Sequence, residues 1–166
     1  MMRKLTIIAA PICAVGHVNA TAGVTLPLLS RGHRVIFLLE KSFEGQLSKL
    51  GFEEVIYEIN EGETKAPGAD LADGLLENDV IGSFDLEVQL TNLFEYFVTS
   101  DSAKKTFIKS NDRLRWAIDQ FDPDLFFVDS TYLLPAIHYS GRPWIHVMSF
   151  MPLFYYQGTD LPPACT

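Results

Sequence analysis

Residues 5–19 read LTIIAAPICAVGHVN, and they decide the fold. Leu5 to Ala10 is a short apolar run with β-branched residues at Thr6, Ile7 and Ile8, the pattern of a strand buried on both faces of a parallel sheet. A turn over Pro11 to Val18 follows, and Asn19 is placed to cap a helix with Val24, Leu28 and Leu29 on its inner face. Pro27 should kink that helix and Gly32 should stop it.

The same alternation continues outward. His33 to Leu39 reads as a second strand, Phe43 to Leu50 as a short helix closed by Gly51, and Phe52 to Ile59 as a third strand. Asn60 to Gly82, rich in Gly and acidic residues, reads as a mobile loop. Leu86, Leu90, Leu93, Phe94, Phe97 and Val98 recur at helical spacing, and Phe107, Ile108, Leu114, Ile118 and Phe121 do so after a cap at Asp101. Asp124 to Val128 is a fourth strand entered through Pro123, Leu133 to Tyr139 a helical segment ended by Gly141, and Pro143 to Ser149 a fifth strand. The fold class is therefore α/β, a Rossmann-like doubly wound parallel sheet with right-handed crossovers.

Composition narrows the functional classes. The chain has 166 residues, 48% hydrophobic and 20% charged, which suits one globular domain with its own core. Lys and Arg total 13 against 21 Asp and Glu, a formal charge of -8, so a nucleic-acid partner is not expected. Cys13 and Cys165 form no CxxC or Cys/His cluster, so no metal site is expected, and the count fits a reducing compartment. No run reaches the roughly 18 apolar residues of a membrane span. Residues 1–20 have the outline of a signal peptide, with a cleavage site after Ala20, but the same residues form the first strand; the two readings exclude each other. The strand reading implies a cytoplasmic protein, the other an entry into the endoplasmic reticulum. The tail from Met151 to Thr166 reads as a chain cut short.

In an open parallel sheet, ligands bind beyond the carboxyl ends of the strands where the strand order reverses. With the order 3-2-1-4-5, strands one and four meet at that reversal. The turn after the first holds Gly16 and His17, and the turn after the fourth holds Asp129. An imidazole and a carboxylate over one crevice suit general-base chemistry, because the carboxylate fixes the tautomer while the other ring nitrogen takes a proton. The alternative is a structural histidine and an aspartate that caps the following helix. Asp124 opens its strand at the far end, and His33, His138 and His146 read as structural. Ser130 sits in no G-x-S-x-G elbow, and neither G-x-G-x-x-G nor a P-loop occurs.

Ala14-Val15-Gly16-His17-Val18-Asn19, then Arg31-Gly32-His33-Arg34-Val35, then Pro123-Asp124-Leu125-Phe126-Phe127-Val128-Asp129, in that order along a βα string, resemble the amino-terminal half of a family-1 UDP-glycosyltransferase of the GT-B type. The resemblance implies an acceptor-binding domain over residues 1–166, paired in the family with a second domain that holds the UDP-sugar. It implies inverting transfer of a sugar to a hydroxyl of a small lipophilic acceptor, as in detoxification. His17 falls on the family's general base and Asp129 on the carboxylate that orients it. No cofactor is implied, the UDP-sugar being a substrate. Gly16, Phe84, Phe94, Met148 and Phe150 are the expected acceptor-binding positions, with plain core packing as the alternative for the apolar ones. The family's His- and Gly-rich donor stretch has no counterpart in these residues, so this chain alone is expected to be inactive. A non-catalytic small-molecule binding module is the second reading. An exposed apolar face near Met148 to Tyr156 is expected where a second domain would dock.

Overall fold

A computed structural model describes residues 3–58, 65–82, 85–130, 132 and 134–149. The strands are β1 (Thr6–Pro11), β2 (Arg34–Glu40), β3 (Glu53–Tyr57), β4 (Leu125–Asp129) and β5 (Trp144–His146). They form one parallel sheet in the order β3-β2-β1-β4-β5, with the reversal between β1 and β4 as expected. Thr6–Pro11, the segment that also resembles a signal peptide, is thus the central strand, paired on both sides.

Both sheet faces are covered, which is why the strands read as continuous apolar runs. Ile7, Ala9, Val35, Phe37, Leu39 and Phe127 point to one face, where Val18 and Ala22 of α1 (Val15–Ser30) pack. Ile8, Ala10, Ile36, Leu38, Val55, Phe126 and Val128 point to the other, against Leu114 and Ala117 of α4 (Asp101–Phe121) and Ala136 and Ile137 of α5 (Pro135–His138). Each fully buried Ile or Leu contributes roughly 1.5–3 kcal/mol.

Several boundaries differ from the sequence reading, each for a local reason. Helix α1 starts at Val15 with Ala14 at the N-cap and no side-chain cap, so Asn19 lies inside it and His17 in its first turn. The helix also continues through Pro27 to Ser30; the proline lacks the N–H that would bond the Gly23 carbonyl, a loss of one bond within a helix that ends at Ser30. In place of a helix over Phe43–Leu50 there are two single 3-10 turns, Lys41–Phe43 and Ser48–Leu50. The Glu54 carboxylate accepts from the backbone N–H groups of Gly45, Leu47 and Ser48, which an uninterrupted helix would have used itself. Gly51 ends this segment at φ 91°, as its glycine suggested.

Ala69–Glu77, inside the stretch read as a loop, is helix α2. Its Gly74, which argued for a loop, is a packing glycine: a Cβ there would lie 2.1 Å from the Tyr96 hydroxyl. Residues 60–64 lie outside the described residues. Helix α3 (Leu86–Phe94) is capped by Asp85 and runs into a π-helical turn, Glu95–Thr99. Ser100 then caps α4 by accepting from the Ala103 N–H at 3.0 Å, one residue before the expected Asp101. Among the described residues no helix is long and apolar enough to cross a membrane.

Candidate functional site

The reversal of strand order places the ends of β1 and β4 side by side, with Pro11 in register with Asp129. The chain leaves β1 through Ile12, whose N–H donates to the Asp129 carbonyl at 2.8 Å, and enters α1 three residues later. This short passage carries His17 back over the end of β4. Its Nδ1 lies 2.9 Å from Oδ2 of Asp129, although the two are 112 positions apart in sequence.

Asp129 is 3% exposed, whereas the His17 side chain keeps 16% of its surface accessible. The carboxylate is held inside the fold and the ring stands at its rim. An ionised carboxylate only accepts, so Nδ1 carries the proton and Nε2 the basic lone pair.

A third residue completes the arrangement. The Ser149 hydroxyl lies 2.7 Å from His17 Nδ1 and donates to Asp129 Oδ2. Donation to the carboxylate leaves its lone pairs to accept from the Nδ1 proton, so the three groups close a small ring of hydrogen bonds. Sequence reasoning placed Ser149 at the end of the fifth strand without a role. The one usable signal was position: β5 neighbours β4, so the residues beyond its end face the residues beyond β4.

Gly16 precedes His17 in the first turn of α1, and a Cβ there would meet, among the described residues beyond its own helix turn, nothing within 4 Å. The chain's own packing therefore does not demand glycine at this position. Met148 is half-buried beside Ser149. Phe94 is 59% exposed and lines an open groove with Leu90, Thr91, Glu95 and Thr99. Phe84 and Phe150 lie outside the described residues, as does most of the expected apolar docking face. Of the neighbouring positions that are described, Trp144 and Ile145 are 44% and 45% exposed.

The remaining polar candidates have structural partners. Asp124 caps the start of β1, accepting from the Thr6 N–H at 2.9 Å and from Arg3. His33 Nδ1 accepts from the Leu5 N–H at 3.1 Å, and His146 Nε2 donates to the Ser130 carbonyl at 3.0 Å. Cys13 is a free thiol pushed up to about 12, first by burial and then by the charge of Glu40, so it is not a nucleophile at neutral pH. Among the described residues no group of three or more His, Cys, Asp or Glu is placed to hold a metal ion.

Glu40, at the carboxyl end of β2, is pushed up to about 7, first by burial and then by the charge of Asp70. A carboxyl raised above its ordinary value of 4.5 costs stability that grows as pH rises from 4.5 to 7 and then levels off. Glu40→Gln should therefore unfold at higher urea than the wild type above pH 7. The difference should vanish below pH 4.5; an equal difference at every pH would contradict the buried carboxyl.

No family model matches the sequence, and no curated protein matches it either. Solved structures do share its fold. SsfS6, a glycosyltransferase of Streptomyces sp. SF2575, is 14% identical with a TM-score of 0.57, over 86% of this chain and 38% of its own. Arabidopsis thaliana UGT89C1 complexed with UDP-L-rhamnose is 16% identical with a TM-score of 0.55, over 90% of this chain and 35% of its own. The glycotransferase of kitacinnamycin is 21% identical with a TM-score of 0.51, over 87% and 30%. The chain thus spans about a third of the length of these proteins, and at these identities the likeness is one of fold. The described residues have the Rossmann-like fold of one half of a GT-B glycosyltransferase.

Proposed function

We propose that this chain is the acceptor-binding half of a glycosyltransferase, in which His17 takes the proton from an acceptor hydroxyl as that oxygen attacks the anomeric carbon of a UDP-sugar. The observation that carries the reading is the contact of His17 Nδ1 with the buried Asp129 carboxylate at the point of strand reversal. Asp129 holds the proton on Nδ1 and stabilises the imidazolium that forms when Nε2 accepts a proton; a positioned base of this kind contributes about 10²–10⁴-fold. Attack from the face opposite the departing diphosphate inverts the anomeric centre.

Gly16 keeps side-chain bulk away from the ring on which a hydroxyl must settle, and Met148 supplies apolar surface beside it. The acceptor on this reading is small and lipophilic. The donor sugar and its diphosphate are bound by a second domain, and residues 1–166 alone transfer no sugar. The shared fold with glycosyltransferases supports this division.

The test is transfer from a UDP-sugar panel to phenolic and alcoholic acceptors, on a polypeptide that joins residues 1–166 to a donor-binding domain. Ser149 acts here as a positioning residue. Ser149→Ala should lower kcat about fivefold with little change in acceptor KM, as expected when a hydrogen bond worth about 1 kcal/mol no longer holds the base. Ser149→Thr should restore most of the rate, because it returns the hydroxyl. Loss of activity in both variants would assign Ser149 to folding. If the joined polypeptide binds acceptors but transfers nothing, the second reading, a binding module, replaces the first.

A further inference from the structure

Glu40 is used by neither the hydrogen-bond ring nor the core. Along β2, Ile36 and Leu38 point into the α4 and α5 face, and the alternation of the strand sends Glu40 to the same side. It stands at the carboxyl end of the sheet, in register with Tyr57 of β3. Extending the registers puts it level with Ile12, one residue beyond Pro11, the partner of Asp129; Glu40 and Asp129 thus stand at the same end of the sheet, on either side of β1 and on opposite faces.

The surroundings of Glu40 are phenols. Tyr57 and Tyr132 pack on the same apolar cluster, and Tyr132 is fixed edge-on to Phe107 with centroids 5.4 Å apart. Tyr96 is lodged against Gly74 of α2. The Tyr57 hydroxyl is 3.7 Å from Cys13 Sγ, which also accepts from the Glu40 N–H at 3.2 Å, and it accepts from Ser110 at 3.4 Å. The titratable groups around Glu40 are thus Cys13 after β1, Tyr57 of β3, Asp70 of α2, Tyr96 of the π-helical turn and Tyr132 after β4. The charge of Glu40 raises the phenols of all three tyrosines, each already raised by burial.

The carboxylate itself has no partner among the described residues, and these include all 13 Lys and Arg. The nearby cations are engaged elsewhere. Lys41 pairs with Glu44, Lys65 with Asp70 at 3.2 Å and Asp73 at 2.7 Å, and Lys109 donates to the Glu58 carbonyl at 3.4 Å. A half-buried carboxylate that the chain leaves without a cation, with tyrosines beside it, has the chemistry of a receptor for one.

We propose that Glu40, with Tyr57, Tyr96 and Tyr132, forms a subsite for an ammonium group, so that the ligands of this chain are amine-bearing. As an acceptor subsite it rests on the glycosyl-transfer reading: the amine is anchored at Glu40 while a hydroxyl of the same molecule, reaching past the end of β1, meets His17. A hydroxyl donor could also meet a carboxylate, but neighbouring aromatic rings add attraction chiefly for a cation.

The experiment is an NMR titration of the ¹⁵N-labelled 166-residue chain with choline and with 3,3-dimethylbutan-1-ol, its neutral isostere. Choline should move the amides of Glu40 and Cys13 saturably at pH 8 and bind at least tenfold more tightly than the isostere. Choline keeps its charge at every pH, so its affinity should rise about tenfold from pH 6 to pH 8 as the carboxyl, raised to about 7, ionises. Glu40→Gln should abolish both the preference and the pH dependence. Tyr132→Leu should weaken choline binding several-fold and Tyr132→Phe preserve it. Equal binding of the two probes, a Glu40→Gln variant that still prefers choline, or no saturable shift overturns the subsite. Since no sugar donor is involved, absence of transfer with choline binding intact counts against the glycosyl-transfer reading alone.

Discussion

His17→Ala, placed in a polypeptide that joins this half to a donor-binding domain, should lower kcat/KM for sugar transfer by about 10²–10⁴-fold, the contribution of a positioned general base. Acceptor binding, followed by fluorescence or NMR, should change little. The ring sits at the rim of the fold, and its bond to Asp129 joins two elements already packed by α1 and β4. Asp129→Asn should reproduce much of the loss, because an amide no longer obliges the proton to stay on Nδ1. Combining the two changes should cost little more than His17→Ala alone, since they act as one unit. A drop of less than tenfold for His17→Ala would remove the histidine from the chemistry and leave it a structural residue of the first turn of α1.

Phe37→Ala should destabilise the chain by about 3–5 kcal/mol, the usual cost of truncating a fully buried phenylalanine. Phe37 is 0% exposed at the centre of β2 and meets the Phe52 ring edge-on, with centroids 5.0 Å apart at 71°. Truncation would remove that aromatic pair as well as leave a cavity beneath α1. Urea unfolding should show the midpoint falling while the slope holds, because the surface exposed on unfolding hardly changes. Against a total stability of about 5–15 kcal/mol, such a loss leaves a marginal fold. A loss below about 1 kcal/mol would mean that the α1 face of the sheet repacks around the gap.

These two experiments probe opposite ends of what local sequence can say. The five strands were legible because Thr6–Pro11, Arg34–Glu40 and Leu125–Asp129 are each short, apolar and β-branched or aromatic, and burial on both faces requires that composition. Their order placed His17 near Asp129, since a turn after β1 and a turn after β4 have one crevice to share. Helix α2 was obscured because Gly74 and the acidic residues around it have loop composition; the glycine is there to admit Tyr96, a residue from another element. The helix over Phe43–Leu50 failed for the converse reason. Glu54, on the next strand, takes the N–H groups that the helix needed.

The sequence by itself determined the parallel α/β sheet and the point of strand reversal, with an imidazole and a carboxylate in the two turns beside it, because periodicity and turn position are properties of neighbours along the chain. Only the tertiary structure decided that Ser149 closes the ring around His17 and Asp129, and that Glu40 stands among three tyrosines without a cation. Those contacts join residues from different elements, and Ser149 and Glu40 are ordinary polar residues at strand ends. What distinguishes them is distance and burial, which exist only once the sheet has closed and its carboxyl ends face a common space.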